Sequence, residues 1–253
     1  MLFQKKIPCY VLIFDQVDII KKSLNFLSSH ANSLDIIVIE NPSNNSPKIK
    51  KIVDKLGKEG LIKRHYLMDK NVTSAAVKTV LDEEKSYILK HKYILLTDGD
   101  ITVDDSHWLQ EQRKILSRNR EVLACGVSLD MSNLPLSTFP EANNWIPPDI
   151  NVKRDYFEAL TGGHLVLVRS KILFTYTDWL SKNDLSFVDG NFHKYCYEVV
   201  GKKWARTKKA KAYHLTWDLY ADLSHPYTKF KLSKSFHDTW HHGLVSDFSL
   251  TQY

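Results

Sequence analysis

Leu95-Leu96-Thr97-Asp98-Gly99-Asp100-Ile101 (LLTDGDI) is the stretch on which the reading of this chain turns. An apolar run ends by setting carboxylates on either side of a glycine. Like charges this close repel and raise each other's pKa, so a site that keeps both ionised usually holds a cation. The same residues also suit a turn followed by a helix cap, because Asp-Gly is common turn chemistry. The surroundings of the motif bear on the choice.

Upstream, apolar runs alternate with segments of helical period. IPCYVLIF (7–14) reads as a short buried strand, and DQVDIIKKSLNFLSSH (15–30) places Ile20, Leu24 and Leu27 at helical spacing. LDIIVIEN (34–41) is a second strand. Ser46-Pro47 then offer a cap and a first-turn proline, Ile49, Ile52, Val53 and Leu56 form one face, and Gly57 or Gly60 can end the helix. LIKRHYLM (61–68) predicts a third strand, Ser74 to Lys90 a third helix, and KYILLT (92–97) a fourth strand that delivers Asp98 and Asp100 to its carboxyl end.

This order predicts an α/β fold, a Rossmann-like, mostly parallel sheet with helices on both faces. Ligands of such sheets bind outside the carboxyl ends of the strands. Glu40, Asn41, Asn71 and Asp98-Gly99-Asp100 all fall at those ends and are expected to share one cleft, which weakens the plain-turn reading of the acidic motif. No Gly-x-Gly-x-x-Gly follows the first strand and no Gly-Lys-Ser/Thr loop occurs, which argues against dinucleotide oxidoreductases and P-loop NTPases.

Downstream the pattern changes. Trp108 to Asn119 predicts a helix and EVLACGVSLDM (121–131) a strand; Asn133 to Asp149 is a proline-rich loop carrying Trp145, either a lid or binding loop or a plain connection. TGGHLVLVRS (161–170) joins the pair Gly162-Gly163 to an apolar strand. A helix from about Asn191 to Val200, closed by Gly201, precedes a basic strand ending at His214. From Asp218 onward aromatics, lysines and histidines follow without a clear period. Residues 1–217 are therefore read as one domain and 218–253 as a C-terminal extension.

Composition sets the frame. The 253 residues, 43% hydrophobic and 25% charged, suffice for a sizeable core of a soluble protein. Cys9, Cys125 and Cys196 fit neither a disulfide framework nor zinc-ligand spacing, so a reducing cytosol is expected. The N-terminal apolar run is too short for a signal peptide or a membrane span. Net charge is +6, and lysines and an arginine crowd the stretch from Lys202 to Lys211 beside Trp204. That cluster suits a solvated strand face or an anionic partner, and without zinc-finger or RRM signatures nucleic acid is not expected.

The ordered set VLIF, VIEN, LLTDGDI, TGGHLVLVR, FVDGNF and YHLTW, spanning roughly residues 7 to 217, resembles GT-A fold, nucleotide-sugar-dependent glycosyltransferases of the Asp-x-Asp, family-2-like type. The resemblance implies that the carboxylates of Asp98 and Asp100 hold Mn²⁺ or Mg²⁺ against the donor diphosphate, with Asp100 the firmer ligand, Asp98 a ribose or metal-water contact, and His214 the third protein contact. It implies an acidic residue near Asp189 as the base of an inverting transfer, while Glu198 and Asp184 stay open as alternatives and a helix cap is the plain reading of Asp189. Gly162 and Gly163 would let the backbone approach a sugar ring. Glu40, Asn41, Asn71, Lys78 and Gly99 would face a UDP- or GDP-sugar.

The function so implied is transfer of a sugar to a glycan or lipid-linked acceptor in the cytoplasm, with peripheral membrane contact as a further expectation. A retaining glycosyltransferase, a sugar-phosphate nucleotidyltransferase and a non-catalytic nucleotide- or glycan-binding module are the alternatives. The tail aromatics, among them Tyr227, Phe230, Phe236 and Trp240, are expected to dock the acceptor or a membrane surface, or else to close the core; His237 and His241 share a helix face without an acidic partner.

Overall fold

The computed structural model describes residues 5–145, 148–161, 163–233 and 246–253. Its first half follows the apolar runs: β1 (Ile7–Phe14), α1 (Val17–Ser28), β2 (Leu34–Asn41), α2 (Ser46–Lys58), β3 (Ile62–Met68), α3 (Ala75–Glu83), α4 (Lys85–Ile88) and β4 (Tyr93–Asp98). β3, β2, β1 and β4 lie side by side and parallel, with Leu12 of β1 opposite Asp98 of β4. Strand alternation sorts the side chains. Cys9, Val11, Ile36, Val38 and Leu95 pack with Leu24, Leu27, Ile49 and Val53 of α1 and α2 on one face. Tyr10, Ile37, Ile39, Ile94 and Leu96 pack with Val80 and Leu81 of α3 on the other. Each such burial contributes about 2 kcal/mol.

The helix expected from Ser74 to Lys90 breaks at Glu84. Its carboxylate is turned inward, 7% exposed, and takes hydrogen bonds from Arg64 at 2.5 Å and from the Tyr66 hydroxyl. Its backbone (φ −84°, ψ 4°) leaves the helical basin at that point.

The second half departs from the parallel expectation. It contains β5 (Ile101–Val103), α5 (Trp108–Arg118), β6 (Val122–Leu129), β7 (Asp149–Val152), β8 (Phe157–Ala159), β9 (Leu165–Arg169), α6 (Ser170–Lys182), α7 (Asp189–Lys194), β10 (Lys203–His214), α8 (Thr216–Tyr220), α9 (Pro226–Ser233) and β11 (Phe248–Gln252). Among the described residues the sheet has eleven strands in the order β11-β3-β2-β1-β4-β9-β6-β10-β8-β7, with β5 paired to β10. β9 runs antiparallel to β4 and β6, and β10 antiparallel to β5 and β8, so the whole sheet is mixed.

The described part of the proline-rich loop, residues 133–145, is packed rather than open. Phe139 and Ala142 are buried with Trp217, Tyr220 and Tyr227 in a third apolar cluster, against which Trp145 rests. The chain beyond residue 217 supplies Tyr220 at the end of α8 and Tyr227 of α9 to this cluster and β11 to the sheet, where Leu250 lies opposite Tyr66. The tail residues 234–245, including His237, Trp240 and His241, lie outside the described residues, as does Gly162. No helix among the described residues is long and apolar enough to cross a membrane.

Candidate active site

The strand order changes direction at β1: β2 and β3 lie to one side, β4 to the other. A cavity of about 340 Å³ opens outside the carboxyl ends of these strands, where such sheets bind ligands. Asp98, Gly99 and Asp100 line it together with Asn41, Asn71, Thr73, Ser74, His214, Thr216, Tyr220, Tyr227, Phe230 and Lys231.

Local geometry brings the acidic motif to His214. β5 begins directly after Asp100 and pairs antiparallel with the end of β10, so that Ile101 lies opposite His214. The Leu215 amide donates to the Asp100 carbonyl at 2.8 Å. Ligand atoms of Asp98, Asp100 and His214 consequently lie within 4.8 Å of one another. Ligands of one divalent ion, at bond lengths of about 2.1–2.5 Å, span up to roughly that distance. Asp100 Oδ1 is buried without a hydrogen-bond partner, while its Oδ2 takes the Thr216 hydroxyl proton at 2.5 Å. The same hydroxyl lies 3.0 Å from His214 Nδ1 and so ties the imidazole to the Asp100 carboxylate. The imidazole is fixed by parallel stacking on Trp217, with ring centres 4.9 Å apart.

Only glycine fits between the carboxylates. A Cβ on Gly99 would stand 2.5 Å from Ile13 Cγ2 and 2.9 Å from the Leu12 carbonyl oxygen, so β1 backbone closes the space. The next strand anchors the motif as well: the His164 carbonyl accepts from the Thr97 hydroxyl at 2.6 Å and the Asp98 amide at 3.2 Å.

A second cavity, about 130 Å³, shares Leu12, Ser74 and Asp98 with the first and is lined further by Tyr10, Gly163, Tyr176, Val188, Asp189 and Phe192. Asp189 sits in the first turn of α7, but it caps no helix. Its Oδ1 accepts the Gly163 amide at 2.9 Å. Burial pushes the Asp189 carboxyl up to about 6 against the pull of that amide. Asp98 is pushed further, to about 8, by burial first, then by the charges of Asp100 and Asp189, with Lys231 opposing. Burial disfavours the charged form of both carboxylates, and at Asp98 the neighbouring negative charges add to that effect.

The other expected residues divide. Asn41 lines the cavity edge and orders it, donating to the Thr73 carbonyl at 3.0 Å and accepting the Val72 amide at 3.1 Å. Asn71 Oδ1 accepts the Thr73 amide, which helps hold Thr73 at φ 54°. Glu40 does not line either cavity: alternation along β2 turns it to the opposite face, where it is fully buried and bonded to His65 at 2.8 Å. Lys78 is likewise turned away, paired with Asp82 one helical turn on at 2.6 Å. Glu198 and Asp184 are exposed and line neither cavity, which leaves Asp189 as the acidic residue of that region beside Asp98.

Thr216, Tyr220, Tyr227, Phe230 and Lys231 line the same cavity as Asp98 and Asp100, whereas the sequence assigns Tyr227 and Phe230 to acceptor or membrane docking or to closing the core, and leaves Thr216, Tyr220 and Lys231 with no site role of their own. Their stretch lacks a hydrophobic period, and only the pairing of β10 with β5 reveals that the chain after His214 must pass over the acidic motif.

No protein-family model matches the sequence. Three proteins of Acanthamoeba polyphaga mimivirus are related along nearly the whole chain: "Uncharacterized protein L137" at 43% identity over 97% of this chain, "Uncharacterized protein L142" at 43% over 98% and "Uncharacterized protein L138" at 38% over 99%. The chain spans 34%, 51% and 28% of their respective lengths. Among solved structures, the mannosyltransferase PcManGT from Pyrobaculum calidifontis, in complex with GDP-Man and Mn²⁺, superposes with a TM-score of 0.57 at 10% identity, covering 94% of this chain and 64% of that one. GalNAc-T7 with UDP, GalNAc and Mn²⁺ superposes with a TM-score of 0.54 at 11% identity, covering 83% of this chain and 43% of that one. At such identities the likeness speaks for architecture, and in architecture this chain has the GT-A fold of glycosyltransferases, with its Asp-x-Asp motif at the carboxyl-end cleft.

Proposed function

We propose that this chain is a metal-dependent glycosyltransferase that moves a sugar from a UDP- or GDP-sugar to a glycan or lipid-linked acceptor, with inversion at the anomeric carbon. The observation that carries the reading is the convergence of Asp98, Asp100 and His214 in one cavity, with a buried carboxylate oxygen of Asp100 unpartnered. Two hard carboxylates and one imidazole fit Mn²⁺ or Mg²⁺, with the imidazole favouring Mn²⁺. The neighbouring folds solved with Mn²⁺ and either GDP-Man or UDP are consistent with that donor set. When bound, a divalent ion supplies neutralisation of the negative charge that a departing nucleoside diphosphate develops.

The chain's own residues do the rest. Asn41 and the Asn71–Ser74 turn form a fixed polar rim for the nucleoside. Asp98 stands where the two cavities meet, and Asp189 faces the smaller one, so a sugar there has a carboxylate on the side away from the diphosphate. Asp189 takes the proton of the acceptor hydroxyl as its oxygen attacks the anomeric carbon. The Gly163 amide fixes Asp189 Oδ1 and orients the carboxylate for that task. Apolar walls of Tyr10, Leu96, Val166 and Phe192 keep water from competing as acceptor.

Calorimetric titration with UDP and GDP, with Mn²⁺ and with EDTA, tests the reading. Binding should require the ion, and Asp100→Asn should weaken it at least tenfold without altering the fold. Undiminished nucleotide binding in EDTA would sink the assignment. The anomeric configuration of the product then separates inversion from retention.

A further inference from the structure

The charges around the larger cavity are unevenly supplied. Its described lining holds two carboxylates and one imidazole, but a single lysine or arginine, Lys231. This residue comes from α9, in the tail that the sequence left without a period. Two aromatic contacts hold α9 over the cavity. Tyr227 stacks on Tyr220 of α8, rings 6.2 Å apart, and Phe230 packs on Phe14 at the end of β1, rings 5.9 Å apart. The helix therefore bridges the cleft from the His214 side to the β1 side. Between those anchors the Lys231 ammonium lies 5.7 Å from the Tyr227 ring centre. It feels the charges of Asp98 and Asp100, yet among the described residues no carboxylate stands within 4.0 Å of it.

We propose that Lys231 binds the donor's diphosphate, and that α9 is the cover which brings it there. The inference rests on the donor reading of the cavity and extends it to a residue outside the metal set. A divalent ion cancels the charges of Asp98 and Asp100, so the diphosphate of a nucleotide-sugar enters with two negative charges that the metal set alone does not offset. When the bond from the anomeric carbon to the β-phosphate oxygen breaks, the electron pair stays on that oxygen and the diphosphate gains a further charge. The carbon receives the acceptor oxygen, whose proton goes to Asp189. Lys231 is the lining cation placed to meet the growing charge. Its withdrawal from water weakens its hold on a proton, a cost that an arriving anion relieves.

The alternative role is that of a fixed counter-ion to Asp98 and Asp100 with no part in ligand binding. Titrations of wild type, Lys231→Gln and Lys231→Arg with UDP, GDP and inorganic pyrophosphate in Mn²⁺, accompanied by thermal melts, separate the two. Diphosphate binding predicts that Lys231→Gln loses about tenfold or more toward all three probes while its melting temperature in the absence of nucleotide holds, and that Lys231→Arg recovers most of the loss. Wild-type affinity for all three probes in a folded Lys231→Gln would overturn the proposal. If wild type binds pyrophosphate through Lys231 but neither nucleotide, the donor reading fails and this assignment stands. If it binds none of the three, both fail.

Discussion

Asp98 and Asp189 are carboxylates that the fold holds away from their preferred charge state, and this has a measurable sign. For a carboxyl whose folded pKa is raised, the folded state keeps protons that the unfolded state has released. Stability therefore falls as pH rises from near 4 through about 6 for Asp189 and about 8 for Asp98. In EDTA, Asp98→Asn and Asp189→Asn should melt higher than wild type at pH 7–8, with the advantage shrinking toward pH 4. For Asp98→Asn the order should reverse in Mn²⁺, which stabilises only the intact set; a wild type that stays the less stable protein in Mn²⁺ would remove Asp98 from the ligands. Transfer itself should fall as pH drops through about 6, because Asp189 must be unprotonated to accept a proton. Gly99→Ala tests the space between the carboxylates. With β1 backbone 2.9 Å from the added carbon, overpacking should cost about 1–3 kcal/mol and displace β4 from β1, lowering both the melting temperature and nucleotide affinity.

Among the elements, α8, α9 and β11 decide what the tail does. Tyr220 and Tyr227 are buried, and Phe248 packs edge-on against Tyr66 with ring centres 5.1 Å apart. Truncation after Asp218 removes the end of α8 together with α9 and β11, exposing Trp217 and Phe139 and opening the edge of β3. At about 2 kcal/mol for each aromatic, the loss exceeds roughly 5 kcal/mol and should lower the melting temperature by 10–20 °C or give insoluble protein. A truncated protein that melts like the full chain would show the tail to be an appendage after all. The elements legible in the sequence were those with their own period. β1 to β4 show as apolar runs, and α1, α2 and α5 as faces of three- and four-residue spacing. Glu84 broke the third helix because Arg64 and Tyr66 of the preceding strand β3 pull it inward, and α9 stayed hidden because its apolar face is completed by Phe14 and Tyr220 rather than by its own repeat. Glu40 was placed at the correct strand end but on the wrong face, since an eight-residue apolar strand buried on both sides carries no alternation to say which way the last side chains turn.

Taken as a whole, the molecule joins a parallel half that builds the polar rim of the cavity to a mixed half, in which β10 runs parallel to β6 and β9 antiparallel to both β4 and β6, that brings Asp189 and His214 back to the same edge. The metal and the nucleotide would bridge these halves, so their binding should be felt as global stability. With UDP or GDP and Mn²⁺ at about 100 times the dissociation constant, stabilisation of about 2.7 kcal/mol should raise the melting temperature by roughly 5–10 °C, and EDTA should cancel the gain. A nucleotide that shifts melting equally with and without the ion would separate its site from Asp98, Asp100 and His214.

The pairing of β11 with β3 joins residues that lie far apart in the chain, Thr251 lying opposite His65 and the Tyr253 hydroxyl bonding to Asp54 at 2.5 Å. On the ribosome, β3 emerges long before its neighbour, and its unpaired edge waits through the synthesis of everything between. At translation rates of about 5–20 residues per second that wait lasts on the order of ten seconds or more, during which other strands can add to the open edge. Newly made chains halted before β11 should therefore recruit chaperones or aggregate, and supplying the 246–253 sequence as a separate peptide should rescue them by restoring the missing neighbour.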